Sequence, residues 1–551
     1  MLVNIADITE NQPITADICI IGAGAAGISM ALELIGSGLD VVVLESGGLG
    51  EESETQALYS GTVSDEQLHS PPDKYRQRRF GGTTTIWGGR CMPFDDIDFE
   101  VRDYIPDSGW PFDRGQILPF YAQANQICEA GPFAYTVDKA FSSTTRPMIA
   151  GFNSNLFSTD RLERFSCPTN FGIRYQHKLR AANNIRVMLH ANVTHLQLNE
   201  AGSAVVAATI ASLKGKQGVV HAKQFVIATG GIEVVRLLLA SNNIQKNGIG
   251  NDRDIVGRYY MCHLAGTIGA IKFNLPLSSV WHGYDISDEG VYCRRRFALS
   301  ESVQREQRIG NFIARLHHPR ITDPAHHNAI LSLLYLAKFL IPYEYGKRLH
   351  GEERSSVSTW MQHIRNVVTG PFDTLGFAWH MFRDRKLAER KFPSIIIKSK
   401  ANLFSLDFHA EQQPNPASRI TLNSDRDVLG MPRLNIDWRY TSGDLDTVSR
   451  GIALLAGEIR NSGLATFDYD PNSVELEMTR YGAYGGHHIG TTRMGTNVAT
   501  SVVNQHCQVH GVDNLHIASA AVFPTSSQAN PTLTIVAFAL RLAQHLKRIT
   551  R

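Results

Sequence analysis

The chain has 551 residues and a formal net charge of +2, with 43% hydrophobic and 19% charged residues. This composition is typical of a globular protein with a sizeable core, and the length predicts two domains or one elaborated domain. The near-neutral charge gives no reason to expect a nucleic-acid partner.

The N-terminal residues lack a basic segment followed by an apolar one, so no secretory signal is predicted. The longest apolar run outside the N-terminal glycine-rich motif, Ile330 to Ile341, spans 12 residues and is too short for a bilayer, which needs about 20. Seven cysteines without a CxxC pair argue against a disulfide framework and against a zinc site. We therefore expect a cytoplasmic protein with no transmembrane segment and no metal.

Basic residues are scattered along the chain apart from two short clusters, Arg76-Gln-Arg-Arg79 and Arg294-Arg-Arg296. Such clusters usually form solvated faces and less often contact phosphates. The solvated face is the favoured interpretation for both.

A strand, a glycine-rich turn, a helix and a second strand follow one another near the N-terminus. The strands are predicted at Asp17 to Ile21 and at Asp40 to Leu44, and the turn is Gly22-Ala-Gly-Ala-Ala-Gly27. This order is typical of a dinucleotide-binding unit in a doubly wound sheet.

Each glycine of this turn has a physical purpose. Gly22 allows a tight turn, Gly24 lets the backbone approach a pyrophosphate, and Gly27 lets the helix pack against the strand. Glu45 follows the second strand, where it would accept hydrogen bonds from a ribose diol and repel a 2′-phosphate. The unit therefore predicts FAD or NAD rather than NADP.

Two later segments are expected to contact the same dinucleotide. Phe80 to Arg90 contains four glycines and three threonines around Trp87, so its N–H groups and hydroxyls could contact a planar ring or a phosphate. A glycine-rich surface loop is the alternative. Gln224 to Gly231 has the pattern of a buried strand that ends in Thr229-Gly230 and leads into a helix, as another strand of the same sheet would.

Two adjacent histidines, His487 and His488, lie in the glycine-rich segment Gly485 to Gly495. Neutral imidazole can act as a general base, because its pKa of about 6.5 lies near working pH. The residues alone leave open which histidine is the base.

Taken together, these segments resemble one family, the glucose–methanol–choline (GMC) flavin oxidoreductases. The resemblance covers nearly the whole chain and implies bound FAD and oxidation of a CH–OH group by hydride transfer to flavin N5. It rests on the Gly22–Glu45 unit, the loop with Gly81, Gly82 and Trp87, the segment Ala228-Thr-Gly230, the histidine turn, and the final segment Asn514 to Thr534.

The resemblance also implies roles for individual residues. His487 matches the general base of the family, and Asn530 matches the second catalytic position, where it would donate a hydrogen bond to the substrate oxygen. Asn530 is also a good helix N-cap before Pro531, and both roles are compatible. His488 is expected to support the turn, with substrate contact as the alternative. The implied cofactor-binding residues are Gly22, Gly24, Ala26, Gly27, Glu45, Ser46, Arg79, Gly81, Gly82, Thr83, Trp87, Gly88, Val193, Thr229, Gly230, Ser519, Ala520, Asn530 and Thr532.

The sequence departs from the family pattern at two positions. Some members tether FAD through a histidine where this chain has Ile86, so non-covalent FAD is predicted. The family often has Asp where this chain has Ser519, which removes a carboxylate near the FAD phosphates.

Substrate choice is expected in the middle of the chain. Alternating segments from Ala265 onward predict a sheet, and residues 323–391 predict a helical insertion that serves as a lid or an oligomer contact. Its aromatic residues are interpreted as core rather than as a membrane-facing or partner-facing patch; they are Tyr335, Phe339, Tyr343 and Tyr345. Glu411 and Gln412 would hydrogen-bond a polyhydroxylated substrate, with exposed turn residues as the alternative.

The sequence thus predicts an α/β fold, α+β overall, with a Rossmann-like FAD-binding domain and an antiparallel-sheet substrate domain. The FAD-binding domain is predicted at 1–110, 180–264 and 480–551, and the substrate domain at 111–179 and 265–479 with the insertion at about 323–391. The predicted function is FAD-dependent oxidation of a sugar, cyclitol or other alcohol, followed by reoxidation by O₂, a quinone or a redox protein. A flavin lyase, a non-catalytic flavoprotein and an NAD-linked dehydrogenase are the alternatives, and the oligomeric state is left open.

Overall fold

The computed structural model describes residues 1–7, 13–340, 356–393, 396–397, 399, 401–481 and 486–550. Its largest sheet has eight strands, six of them joined by parallel pairings. In spatial order these six are Leu2–Asn4, Ile185–Leu189, Val41–Leu44, Ile14–Ile21, Gln217–Ile227 and Leu515–Ile517. An antiparallel extension, Val205–Ala211 and Asn192–Leu198, pairs with the first half of Gln217–Ile227.

The apolar runs near the N-terminus lie at the centre of this sheet. All four residues of Val41–Leu44 and the last four of Ile14–Ile21 are at most 3% exposed. Burial on both faces explains why these strands are continuously apolar rather than alternating, as is usual for parallel sheets. The helices that pack beside this sheet, against its strands or against one another, include Ala25–Leu34, Leu118–Ile127, Phe171–Ala181, Gly230–Ala240 and Thr532–Ile549.

A second sheet is antiparallel and has six strands. In spatial order they are Ala465–Asp468, Leu264–Phe273, Leu403–Ala410, Phe312–His317, Phe297–Leu299 and Phe157–Ser158. The long helix Ser442–Ser462 packs against this sheet, and a capping box between Thr441 and Asp444 fixes its start.

Two small sheets complete the strand content of the described residues. One contains Arg90–Cys91, Leu162–Phe165, Asp285–Ile286 and Tyr292–Arg295, and the other contains Thr62–Val63, Arg419–Arg426 and Pro432–Asp437. The remaining short helices are Ser53–Gln56, Val137–Ala140, Glu301–Gln307 and Val474–Tyr481.

The segment predicted as a helical insertion is helical where the structure describes it. Its α-helices are Ala329–Leu336, Val357–Thr369 and Pro371–Met381, followed by the π-helical turn Phe382–Leu387. Residues 341–355, and with them Tyr343 and Tyr345, lie outside the described residues. Tyr335 is buried as predicted, whereas Phe339 is 80% exposed, so its interpretation as core is wrong.

One hydrophobic cluster runs through the parallel sheet and the six-stranded sheet alike. The predicted fold class, a Rossmann-like layer joined to an antiparallel sheet, is confirmed. Within the described part of the chain, no helix is long and apolar enough to span a bilayer.

Candidate active site

A cavity opens where the parallel strands of the large sheet end. Its lining includes residues that directly follow four strands: Gly22, Glu45, Ala228 and Ala518. The helices that start near Ala25, Gly230 and Thr532 also begin at its wall. Carboxyl ends of parallel strands and helix N-termini together form the usual binding crevice for a phosphate-bearing ligand.

The glycines of the Gly22–Gly27 turn allow close packing of the backbone beside the crevice and leave free space at its wall. Gly22 has φ of 104°, and an added Cβ there would lie 2.7 Å from Ala228 O. A Cβ on Gly27 would lie 1.9 Å from Gly22 O, so the helix can approach the strand only with glycine at this position. Gly24 is different, because a Cβ there would meet no heavy atom nearer than 4.0 Å and would extend into free space at the cavity wall.

Glu45 and Ser46 form the wall beside the second strand. The Glu45 carboxylate accepts hydrogen bonds from the N–H groups of Ala23 and Gly47, both at 2.9 Å, and burial raises its pKa. Ser46 Oγ accepts a hydrogen bond from Arg78 Nε at 2.7 Å. The acid thus braces the glycine turn while its side chain lines the cavity.

The cluster that contains Arg76 and Arg78 is buried, which corrects its interpretation as a solvated face. Arg76 and Arg78 each bond Glu233, at 3.3 and 3.0 Å, and both guanidinium groups lie over the Tyr59 ring. Together with Arg236, these cations lower the pKa of Glu233 to about 2 despite its burial. Burial is tolerated because the charges are paired, and sequence spacing does not show where the partner acid lies.

The second cluster is also buried, and the same correction applies. Arg294, Arg295 and Arg296 are each at most 6% exposed. Their guanidinium groups bond Leu316 O at 2.8 Å, Asp160 at 2.9 Å and Gln528 Oε1 at 3.0 Å, respectively.

The residues present fit a flavin dinucleotide. Within the described residues, Gln77 Oε1 and Thr229 Oγ1 are buried at the cavity wall without a protein hydrogen-bond partner. Buried polar atoms are nearly always paired, so these two are suited to a polar ligand. Open glycine backbone, helix N-termini and a buried acid beside them match a pyrophosphate and a ribose.

Most of the cofactor-binding residues implied by the sequence line this cavity: Gly22, Gly24, Ala26, Glu45, Ser46, Gly82, Thr83, Trp87, Val193, Thr229, Gly230, Ser519, Ala520 and Thr532. Gly27, Arg79, Gly81, Gly88 and Asn530 are not part of the lining. Gly81 packs instead, because a Cβ there would lie 2.8 Å from the backbone N of Gly172. Its own N–H donates to Ala23 O at 2.9 Å, which holds the second glycine loop against the first.

Several lining residues were not among those individually predicted to bind the cofactor. These include Tyr59, Arg76, Gln77, Arg78, Thr84 and Glu233. The Arg76–Arg79 cluster was the available signal, since a phosphate contact was the less favoured alternative for it.

His487 also lines the cavity and lies between two polar partners. Its Nε2 is 3.0 Å from Asn530 Nδ2, and its Nδ1 is 2.7 Å from Nδ1 of His263. His263 Nε2 is in turn 3.0 Å from the carbonyl oxygen of Ser526. The structure therefore brings His487 and Asn530 together as expected and adds His263, which sequence reasoning missed.

A short antiparallel pairing explains why the two histidines meet. Met261 and Ile489 exchange backbone hydrogen bonds of 2.9 and 3.0 Å. In an antiparallel pairing, the residue two positions after Met261 lies opposite the residue two positions before Ile489. These residues are His263 and His487. No local motif marks His263, because the pairing joins segments more than 220 residues apart.

Both imidazoles are uncharged at neutral pH. Burial, with a contribution from neighbouring His263, lowers the pKa of His487 well below its usual value, and burial lowers the pKa of His263 to about 4. His488 also lines the cavity, and burial lowers its pKa in the same direction. Its ring stacks on Tyr260 at 6.1 Å, in keeping with a supporting neighbour.

Asn530 lies two residues before Thr532, the first residue of the final helix. Pro531 is the N-cap of Thr532–Ile549, and no side chain caps that helix. The expectation that Asn530 caps the helix is therefore wrong: its amide nitrogen bonds His487, and its Oδ1 is buried without a partner among the described residues.

Glu411 and Gln412 are placed away from the cavity, which corrects the expectation that they bind substrate. Glu411 is fully buried in a two-point ion pair with Arg102, at 2.6 and 2.7 Å. Gln412 is equally buried, and its Oε1 accepts from Cys262 N at 2.7 Å and from Trp438 Nε1 at 2.9 Å. Because these groups are already satisfied, both side chains have structural roles; Gln412 anchors the segment that carries His263.

Comparisons with known proteins agree with this architecture. A family model described as FAD dependent oxidoreductase matches residues 17–330, and a model described as GMC oxidoreductase matches residues 414–539. The large subunit of fructose dehydrogenase from Gluconobacter japonicus is 22% identical, over 97% of this chain and 98% of its own. The 6'''-hydroxyparomomycin C oxidase from Streptomyces lividus is 23% identical, over 96% and 92%.

The fold is also that of a solved oxidase. Pyridoxine 4-oxidase from Mesorbium loti superposes with a TM-score of 0.56 at 17% identity, over 96% of this chain and 98% of that one. The family models span both sheets, and the cavity fits the dinucleotide that the first model requires. The chain belongs to the GMC family of FAD-dependent oxidoreductases.

Proposed function

We propose that this enzyme oxidises a CH–OH group of a sugar, cyclitol or other polyol to a carbonyl, with non-covalent FAD and with His487 as general base. The observation that carries the proposal is the position of His487 Nε2, at the cavity wall and within 3.0 Å of the amide nitrogen of Asn530. Its pKa, lowered by burial, keeps the imidazole in the neutral form that can accept a proton.

FAD, when bound, supplies the two-electron acceptor for the hydride of the alcohol carbon. Gly24, Glu45, Thr229 and Ser519 would hold it from the ends of the parallel strands. Ile86 supports non-covalent attachment, because its aliphatic side chain cannot form the tether that a histidine makes at this position.

The hydrogen-bond chain behind His487 fixes where its proton sits. A carbonyl oxygen can only accept, so His263 Nε2 carries a hydrogen and donates it to Ser526 O. A neutral His263 then has a lone pair on Nδ1, and His487 must donate to it from its own Nδ1. His487 Nε2 is left as an acceptor, facing the Asn530 amide.

A substrate hydroxyl can replace the contact between Asn530 and His487. Its O–H would donate to His487 Nε2, and its oxygen would accept a hydrogen bond from Asn530 Nδ2. The base then takes the hydroxyl proton at Nε2 while the amide stabilises the charge that develops on oxygen. His487 Nδ1–H and His263 would stabilise the imidazolium ion that results.

The assignment of a polyol is supported by the relatives, one of which is named as a dehydrogenase of the sugar fructose. The relatives include both dehydrogenases and oxidases by name, so O₂, a quinone and a redox protein are all proposed reoxidants to be compared. A cytoplasmic location also stays a proposal.

The state of the cofactor is tested on the purified protein. We expect a yellow protein that releases FAD into the supernatant on acid precipitation. Yellow colour that remains in the precipitate would contradict non-covalent attachment, and a colourless protein that binds NAD would contradict the flavin assignment.

The reaction is tested by an anaerobic screen of sugars, cyclitols and simple alcohols for flavin bleaching. A polyol should bleach the flavin and yield a carbonyl product, and recolouring in air or with a quinone then identifies the acceptor. Conversion of a compound without bleaching at any stage would favour a flavin lyase instead. Tight FAD binding without any conversion would favour a non-catalytic flavoprotein.

A further inference from the structure

Exposed apolar side chains are concentrated in one part of the molecule. Among the described residues, eleven of the twenty-seven exposed large hydrophobic side chains lie within 339–340 and 356–387. Every exposed Phe and Trp of the described chain is among them: Phe339, Phe372, Trp379 and Phe382. Large exposed apolar patches on a folded protein mark interaction surfaces.

The helix Val357–Thr369, the first of two in this region, exposes its apolar face and buries its polar face. Val357, Met361, Ile364 and Val368 recur at spacings of four, three and four, so they share one face. These residues are 49–78% exposed. An ordinary surface helix buries such a face.

The polar face of the same helix is the one that packs inward. His363 and Asn366 are at most 8% exposed. His363 Nδ1 and Asn366 Nδ2 lie 2.9 and 3.1 Å from Ser332 Oγ, and Asn366 also donates to Pro324 O at 2.9 Å. These buried polar contacts fix the rotation of the helix about its own axis, and its apolar face therefore points outward.

The next helix also has exposed apolar residues on one face. Phe372, Leu375, Trp379 and Phe382 recur at spacings of three, four and three and are 48–86% exposed. The two helices adjoin at Gly370. We call these eight residues, seven on the two helices and Phe382 at the start of the π-helical turn that follows, the apolar face.

Basic side chains accompany the apolar face. Residues 356–391 contain six Lys or Arg and three Asp or Glu. Arg365, Arg383 and Lys386 are exposed, whereas Asp384 is engaged by Arg383 and His380. Amphipathic helices with bulky apolar residues on one side and cations beside them are typical of peptides that lie in the surface of anionic membranes.

We propose that the apolar face docks this enzyme on the surface of a membrane that contains anionic phospholipid. The eight side chains enter the boundary between headgroups and acyl chains, and Arg365 and Lys386 contact lipid phosphates and carboxylates. A second copy of the chain fits this face less well, because a symmetric pairing would bring the same cations together. No described helix crosses the bilayer, so the attachment is peripheral.

The proposal is tested with the FAD-loaded enzyme and sedimented vesicles made of equal parts phosphatidylcholine and phosphatidylserine. We expect the enzyme to sediment with these vesicles at low salt, and to sediment less as salt is raised or when phosphatidylserine is omitted. An enzyme that stays in the supernatant under all these conditions overturns the proposal.

Matched variants locate the surface. Phe372→Ser combined with Trp379→Ser should lower the bound fraction at least about tenfold, since each removes an exposed apolar side chain. Val428→Ser combined with Leu476→Ser, which are 81% and 60% exposed elsewhere, should change nothing. An equal loss of vesicle binding in both double variants, or no loss in either, overturns the assignment of the face.

The basic side chains beside the apolar face are tested with matched control variants in the same way. Arg365→Gln and Lys386→Gln should each weaken binding to the anionic vesicles about fivefold, whereas Lys178→Gln and Lys214→Gln, exposed elsewhere, should not. Light scattering serves as the second readout. If the apolar-face variant changes the molar mass of the enzyme while vesicle binding is intact, the face is an interface between copies and the membrane proposal is wrong.

Discussion

The dinucleotide end of the cavity and its histidine end differ in how far apart in sequence their residues lie. At the first end, Gly22, Gly24 and Glu45 fall within one strand–helix–strand unit, and the turn geometry follows from local sequence. At the second end, His263, His487, Ser526 and Asn530 come from three separate segments that meet through β pairing and loop packing. We therefore expect substitutions at the first end to affect mainly cofactor binding and substitutions at the second to affect mainly the base.

The largest expected effect on the dinucleotide end comes from Gly24→Val. Because a Cβ at Gly24 meets no atom within 4.0 Å, the chain should fold, but the side chain would occupy the space of the dinucleotide. We expect the Kd for FAD to rise about a hundredfold, which corresponds to an overpacking cost of about 3 kcal/mol. Titration of the apoprotein with FAD, followed by flavin fluorescence, measures this.

Gly50→Val is the matched control, since Gly50 also has free space around it but does not line the cavity. It should bind FAD like the parent. Unchanged FAD affinity in Gly24→Val would remove this turn from the cofactor site.

The second prediction concerns the histidine end and the hydrogen-bond chain behind the base. His263→Leu removes the acceptor for His487 Nδ1–H, so the imidazole can move its hydrogen to Nε2 and donate to the unpartnered Oδ1 of Asn530 after the amide turns. We expect flavin reduction at least about tenfold slower, as for partial loss of a general base, with FAD content unchanged. Anaerobic stopped-flow absorbance gives the rate, and acid extraction gives the FAD content.

His263→Asn distinguishes this role from a merely structural one. An Asn at this position has an oxygen that accepts from His487 Nδ1, so most of the rate and the pH profile of reduction should be retained. If Leu and Asn slow reduction equally, or if neither does, His263 does not position the proton of the base.

The smallest expected effect is a pH dependence of stability, to which the buried histidines contribute. Burial lowers the pKa of His69, which bonds Tyr260 beside His488, and of His263 to about 4, against about 6.5 in the unfolded chain. Between these values the unfolded state binds more protons, so the free energy of unfolding should fall as the pH is lowered from 6.5 to 4. Each such histidine contributes a slope of up to about 1.4 kcal/mol per pH unit.

Urea titrations of the FAD-loaded enzyme across this pH range measure the slope. His263→Asn should reduce it, and replacement of the exposed His221 by Asn should leave it unchanged. A slope that is the same in the parent, in His263→Asn and in the His221 variant would contradict the buried, neutral state of His263.

The same contrast explains what the sequence predicted and what it did not. The strand–turn–helix–strand unit, the parallel sheet and the helical insertion were predicted, because periodicity and glycine spacing are local signals. His263 was missed because its importance depends on the register of Met261 with Ile489. Arg76 and Arg78 were misread as solvated because their partner, Glu233, lies far along the chain.

Glu411 and Gln412 illustrate a further limit of sequence patterns. Both follow a strand and were expected to bind substrate, yet their polar groups bond Arg102, Cys262 and Trp438. Polar side chains beside a site satisfy hydrogen bonds in the scaffold as readily as in a ligand. Only the three-dimensional contacts separate these two uses.

We propose that His487 supplies the base while other residues hold FAD, and anaerobic flavin reduction in His487→Ala tests this most directly. The polyol that bleaches the parent flavin fastest is mixed with parent, His487→Ala and the exposed control His221→Ala in a stopped-flow instrument. We expect full FAD content in all three and a reduction rate about 10²- to 10⁴-fold lower in His487→Ala alone. Reduction of His487→Ala at the rate of the parent would contradict it.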